Sequence, residues 1–194
     1  VYSQLVFNSC IAMQVDDKSL LRLLADDKTR RRAFEIIVSQ YSEMLYRQIR
    51  RIVLFHDDAN DVLQNTFMKA WQAVPMFEGR SKISSWLYRI AINEALDFRR
   101  RRREELSLED SNTEMGVAAK LMADTYFEGD RAEAMLHQAI DELPDVQRTV
   151  FQLRYFEEMK FSEISAITGT TEGALKASYH IAVKKIQTIL SKHD

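Results

Sequence analysis

Apolar residues recur along this chain at spacings of three and four, the period of a helix face. Leu20, Leu21, Leu23 and Leu24 predict a short helix over 18–24, with Asp16 and Asp17 complementing its N-terminus. Phe34, Ile37, Val38, Tyr41, Leu45, Ile49, Ile52 and Val53 mark one face of a longer helix over 29–55. His56-Asp57-Asp58 interrupts the pattern, and Asp57 or Asp58 is expected to cap a helix over 59–73. That helix carries Val62, Leu63, Thr66, Phe67, Ala70 and Val74 inward, and Asp61, Gln64, Asn65 and Lys69 outward. Pro75 ends it, because the residue before a proline avoids the helical region. A loop over 76–82 follows, with Gly79 and Ser81. A third long helix is predicted from Ser84 to Arg103, with Trp86, Leu87, Ile90, Ala91 and Phe98 inward and Glu94 at the margin.

The pattern lapses over 104–127, which is acidic and reads as a linker. It returns in a helix over 131–143 presenting Ala134, Met135, Ala139, Ile140 and Leu143. Pro144 suits the first position of the next helix, over 145–156, with Val146, Val150, Leu153 and Tyr155. Two further helices, 162–167 and 172–190, flank the turn Thr168-Gly169-Thr170-Thr171. The expected class is all-α, in two small helical domains joined by the acidic linker. Five glycines and two prolines are too few for the many turns of a sandwich or barrel.

Charge adds an asymmetry that the net value of −2 conceals. Residues 1–103 hold 18 Lys and Arg against 12 Asp and Glu, whereas residues 104–144 hold 2 against 11. A basic half next to an acidic middle points to a nucleic-acid face. The single cysteine, Cys10, excludes an internal disulfide or a cysteine-based zinc site and suits a reducing, cytoplasmic compartment. No apolar run approaches the roughly 20 residues of a membrane span. Residues 1–16 read as a disordered N-terminal extension. His56, His137, His180 and His193 lack metal spacing, and no phosphate loop or nucleophile turn is present. No catalytic residue, metal or cofactor is therefore expected.

Three patterns carry candidate chemistry. In the C-terminal pair, Ser162 is expected to cap the first helix and small Ser165 to permit close packing. Gly169 supplies the left-handed turn residue and Thr171 caps the second helix. Ala174, Leu175 and Tyr179 would then turn partly inward, leaving Glu172, Gly173, Lys176, Ala177 and His180 toward a major groove. Secondly, Arg99, Arg100, Arg101, Arg102 and Arg103 surround a helix end. The helix dipole accounts for one or two of them, and phosphate backbone is the natural partner for the rest. Thirdly, Phe77, Trp86 and Tyr88 are interleaved with Arg80, Lys82 and Arg89, as unstacked single-stranded bases require. Plain core packing accounts equally well for Phe77 and Trp86.

The stretch DDANDVLQNTFMKAW…WLYRIAINEALDFRRRRR resembles the DNA-melting domain of extracytoplasmic-function (ECF) sigma factors of the bacterial sigma-70 family. The stretch AIDELPDVQRTVFQLRYFEEMKFSEISAITGTTEGALKASYHIAVKKIQ resembles their second, helix-turn-helix domain. The resemblance implies a region-2-like domain over 17–103, a linker over 104–127 and a region-4-like domain over 128–194. It implies a promoter-specificity subunit that binds core RNA polymerase and promoter DNA. Asn60, Asp61, Gln64, Asn65 and Phe67 would contact the clamp helices of the largest subunit, although glutamates are usual where Asn60 and Asn65 stand. The C-terminal domain would meet the flap of the second largest subunit. Ala73, Phe77 and the loop through Arg80 and Lys82 would hold a flipped base of the minus-ten element. Asn93, Trp86, Tyr88 and Arg89 would meet its strand, and Arg99–Arg103 its backbone. Thr171, Glu172, Gly173, Lys176, Ala177, Tyr179, His180 and Lys184 would read the minus-thirty-five element. Ala177, Ser178 and Ile181 replace the family's usual Ser, Arg and Arg, which predicts a minus-thirty-five sequence with fewer guanine contacts. The acidic linker would enter the RNA exit path. An anti-sigma factor, often membrane-anchored in the family, is a further implied partner. The alternatives are an autonomous helix-turn-helix regulator and a protein that titrates an anti-sigma factor.

Overall fold

The computed structural model describes residues 15–108, 116–127 and 129–192, with the side chains of 103–108 outside that description. Among the described residues the chain forms nine α-helices, one 3-10 turn and no strand. These are α1 (Asp17–Ala25), α2 (Arg30–Val53), α3 (His56–Ala73), the 3-10 turn Val74–Met76, α4 (Ile83–Leu108) and α5 (Val117–Ala123). There follow α6 (Arg131–Asp141), α7 (Asp145–Tyr155), α8 (Phe161–Thr168) and α9 (Glu172–Leu190).

Helices α1–α4 pack on one another around Leu20, Ile37, Leu45, Ile49, Ile52, Ile83, Leu87 and Ile92, all essentially inaccessible. Asp16 caps α1, its carboxylate accepting the Ser19 N–H at 3.1 Å. Val15 packs against the core, so the expected N-terminal extension stops short of it; residues 1–14 lie outside the described set. Helix α2 ends at Leu54, whose φ of +73° reverses the chain into α3.

The structure corrects several local expectations. Asp57 and Asp58 do not cap α3, which starts at His56 behind Phe55; both lie in its first turn, where they complement the helix dipole. The buried stripe of α4 is Ile83, Leu87, Ala91, Ile92 and Ala95, and Trp86, Ile90 and Phe98 are only half-buried. Glu94 is buried and bonded to Lys69 of α3. Helix α4 runs past Arg103 to Leu108, and α5 lies within the expected linker. The linker acids Glu109, Asp110 and Glu114 fall outside the described residues, as do the Glu104 and Glu105 side chains.

In the second half, α6, α7 and α9 close over Ile140, Leu143, Phe151, Ala182 and Ile186. Val146 and Tyr155, expected inside, are more than half exposed, while His137, Arg148 and Gln152 are buried. Pro144 occupies the cap position just outside α7. Ser162 does not cap α8; that helix begins at Phe161, and Glu163 reaches back to accept the Lys160 N–H at 2.7 Å. Ala174 is exposed rather than inward.

Candidate nucleic-acid and partner interface

Pro75 stops α3, and the chain then crosses α1 before α4 begins. Gly79 makes that crossing possible: its φ is +68°, and a Cβ there would lie 3.2 Å from Leu21 Cδ1. Asp17 fastens the far end, its carboxylate accepting the Ile83 N–H at 3.2 Å. The loop is therefore held from below. Phe77 stacks on Trp86 with centroids 4.4 Å apart and planes at 19°. Arg80 and Lys82 stand exposed beside this pair, Arg80 next to Glu78, and Ala73 is half-buried at the α3 end.

Helix periodicity sorts the remaining minus-ten candidates onto two faces of α4. Trp86, Arg89, Asn93 and Arg100 follow at i, i+3, i+7 and i+14, so they share one face. Arg89, Asn93 and Arg100 are exposed on it, and Arg100 pairs with Asp97 at 2.9 Å. Tyr88 and Arg99, eleven residues apart, share another face, turned toward the C-terminal helices. The Tyr88 hydroxyl donates to Glu157 Oε2 at 3.4 Å and lies 3.3 Å from Met159 Sδ. Burial, and then the Glu157 charge, push the Tyr88 phenol well above its ordinary range. Arg99 donates to the Ile52 carbonyl at 2.8 Å and pairs with Asp141. Arg101 and Arg102 line a depression with Asp61, Gln64 and Asn65. The arginine run thus divides three ways; the Arg103 side chain lies outside the described set.

On α3, Asn60, Asp61 and Gln64 are exposed and Asn65 is half-buried. Asn60 Nδ2 meets His56 Nε2 at 3.0 Å, and the His56 ring stacks on Tyr126 at 3.7 Å. Phe67 faces inward, edge-on to Phe34 at 6.3 Å, which gives it a packing role. Pattern reading missed Met68 and Trp71, which are 52 % and 41 % exposed. The available signal was position: Met68 follows Gln64 by one helical turn. Burial raises the Asp58 carboxyl above its usual range, opposed by nearby Arg102.

In the C-terminal pair, Gly169 adopts the left-handed conformation (φ +71°) and Thr171 caps α9, accepting the Ala174 N–H at 3.4 Å. Leu175 is buried. Tyr179 is half-buried between Phe151 and Phe161, at 5.9 and 6.0 Å. Glu172, Gly173, Lys176, Ala177, His180 and Lys184 are all exposed. Gly173, Ala177, His180 and Lys184 form the strip opposite the buried side, flanked by Lys176 and by Ile181, which is 46 % exposed. Among the described residues no cluster of His, Cys, Asp or Glu could hold a metal ion.

Residues 37–105 match the family Sigma-70 region 2, and residues 133–186 match Sigma-70, region 4. The chain is 32 % identical to RNA polymerase sigma factor SigV of Bacillus subtilis, over 81 % of this chain and 90 % of that protein. It is 31 % identical to the ECF RNA polymerase sigma factor SigW of the same species, over 76 % and 83 %. It also resembles RNA polymerase sigma-H factor of Pseudomonas aeruginosa, at 30 % identity over 93 % and 96 %. The fold superposes on sigma factor RpoE of Bartonella quintana, solved with the anti-sigma factor NepR, with a TM-score of 0.61 and 25 % identity over 81 % of this chain and 96 % of that one. With both halves matched in order, and relatives covered over 83 % or more of their length, the chain belongs to the ECF RNA polymerase sigma factors of the sigma-70 family.

Proposed function

We propose that the chain binds core RNA polymerase, directs it to promoters through minus-ten and minus-thirty-five elements, and opens the DNA. The observation that carries this reading is the fastened loop and α4. Exposed Arg80, Lys82, Arg89, Asn93 and Arg100 surround the stacked Phe77–Trp86 pair on a rigid support. Unstacking a base costs a few kcal/mol, and fixed cations with an aromatic platform offset it. The exposed polar face of α3, with Asp61, Gln64 and Met68, is the docking surface for the polymerase clamp helices. Region 4 meets the flap. Phosphodiester synthesis stays with polymerase; the chain supplies no catalytic group and works in the cytoplasm. An anti-sigma factor is a further partner; the Bartonella protein is in complex with one, NepR.

The outer strip of α9 refines the minus-thirty-five reading. Gly173 and Ala177 let the helix approach the groove floor, and Ala177 and Ile181 offer methyl contacts instead of the fork of an arginine. Thymines are favoured there over guanines. An autonomous regulator would need residues 28–103 as a ligand or dimer domain, and the region 2 match removes that premise. Run-off transcription with purified core polymerase tests the proposal. Promoter-dependent transcripts are expected only when both components are present. Their absence over a broad template set would leave a titrating role.

A further inference from the structure

Helices α3 and α4, the proposed dock and the proposed melting element, pack against each other. Their buried residues include many small ones: Ala59, Thr66 and Ala70 on α3, and Ala91 and Ala95 on α4. Small side chains let two helices approach closely, but they leave shallow grooves with little to fix rotation about the axis. The Asp17 bond to the Ile83 N–H holds the start of α4, and a backbone contact of this kind fixes a position rather than a rotation. One polar pair joins the two helices further along. Leu87, Ala91, Glu94 and Phe98 follow at i, i+4, i+7 and i+11, so Glu94 occupies a core stripe of α4. Its side chain is 7 % exposed, and Lys69 of α3 forms an ion pair with it. Among the described residues no other side chain hydrogen-bonds its carboxylate. Lys69 itself is 58 % exposed, so its stem runs along the surface and its ammonium turns in to the carboxylate.

We infer that Lys69 and Glu94 are positioning residues for DNA opening: their pair sets the rotation of α4 on α3, and with it the angle at which Asn93 and Arg89 meet the strand. This rests on the proposed minus-ten reading of α4. An apolar side chain at position 94 would suit the stripe better on stability alone. A carboxylate leaves water at a cost that its ion pair does little more than offset. What the pair adds is direction, because a charged hydrogen bond has a set length and angle that a methyl contact lacks. Register is the best-attested use of such a buried polar contact. The neighbours of the pair show what that register governs. Glu94 directly follows Asn93, so holding Glu94 inward holds Asn93 and Arg89 outward. Lys69 directly follows Met68 of the docking face and precedes Ala73, at the base loop, by one helical turn. The pair therefore refers the melting face to the helix that polymerase grips. Such a reference matters because a displacement of about 1 Å at a positioned group costs on the order of a hundredfold in rate.

The test uses the full chain with core polymerase on a promoter recovered by run-off selection. It reads the rate of promoter opening from permanganate reactivity, beside core affinity and thermal melting. Lys69→Met alone leaves a buried carboxylate unpaired and should lower the melting temperature. The informative variant is Lys69→Met/Glu94→Leu, which fills the site with apolar groups and should melt no lower than wild type. It should bind core as wild type does, yet open DNA at least about tenfold more slowly. Lys69→Arg keeps the cation and should open DNA at close to the wild-type rate. The salt dependence of opening should not change in the double variant, since Lys69 meets a carboxylate and not a phosphate. Asn93→Ala should cost less in the double variant than in wild type, because the face already misses the strand. Wild-type opening by a stable double variant, full additivity with Asn93→Ala, or a flattened salt dependence would each overturn the inference. If Asn93→Ala left opening unchanged in the otherwise wild-type chain, the minus-ten reading itself would fall, and this inference with it.

Discussion

The two halves of this molecule solve burial differently. Helices α1–α4 close over aliphatic side chains, with Thr66 and Glu94 the buried polar residues, each bonded. The C-terminal helices close over aliphatic side chains and Phe151, and they bury His137, Arg148 and Gln152 as well. Arg148 donates to the carbonyls of Ile140, Asp141 and Leu143, finishing the end of α6. The difference suits the tasks. A base-extracting loop needs a support that does not yield, and an apolar core supplies it. The two halves nevertheless share apolar contacts, since Val150, Leu153, Ile164 and Leu175 belong to the same buried cluster as the α1–α4 core.

The comparison breaks at Arg148. Arg148→Met keeps apolar bulk but removes the guanidinium from the Asp141 and Leu143 carbonyls, while the Ile140 carbonyl keeps the Leu143 N–H; the loss should cost roughly 2 kcal/mol. Hydrogen exchange should show α6–α9 opening while α1–α4 stay protected; uniform loss would mean that the halves fold as one. His137 gives a comparable effect through pH. Burial, with Arg50 and Arg99 nearby, lowers it to about 4. The folded state then refuses a proton that the unfolded chain accepts. The stabilisation is full above pH ~6.5 and is lost as pH falls toward 4, on the order of 3 kcal/mol in all. Denaturation at several pH values should show this slope in wild type, and His137→Phe should flatten it.

Surface substitutions sharpen the contrast with smaller effects. Gln64→Ala should weaken core polymerase binding by about 1–2 kcal/mol with stability unchanged. Phe67→Ala should instead cost about 2–3 kcal/mol of stability, because its ring packs on Phe34. Competition for core, measured beside thermal melting, separates the two. Smallest is the methyl effect in the minus-thirty-five element. Replacing a contacted thymine by uracil should cost about 0.8 kcal/mol, and Ile181→Ala should abolish that sensitivity at one position.

Much of the fold was legible because helix faces and caps are local. Spacing gave the inward stripe of α2, and Gly169 and Thr171 gave the turn between α8 and α9. Errors arose where burial contradicts polarity. Nothing in the sequence marks Arg148 or Gln152 as inward, since their partners are carbonyls or lie far along the chain. Trp86 drew the α4 stripe toward itself, although small Ala91 and Ala95 permit the closest helix contacts. Helix period placed Asp61 and Gln64 of α3 and Lys176 and His180 of α9 outward, whereas Asn93 of α4 was named only by the family resemblance. The contact between the halves could not be read, because Arg51 and Glu157 are joined only by the tertiary fold.

The central claim is that this chain makes polymerase open promoter DNA through the loop and outer face of α4. Permanganate probing of unpaired thymines tests it most directly, on a promoter recovered by run-off selection from a random-sequence library. With chain and core polymerase together, non-template thymines in the minus-ten element should become reactive, and Asn93→Ala should suppress the signal without displacing the chain from core. Transcripts made with full reactivity retained in the Asn93→Ala and Arg89→Ala variants would contradict the assignment of melting to this face.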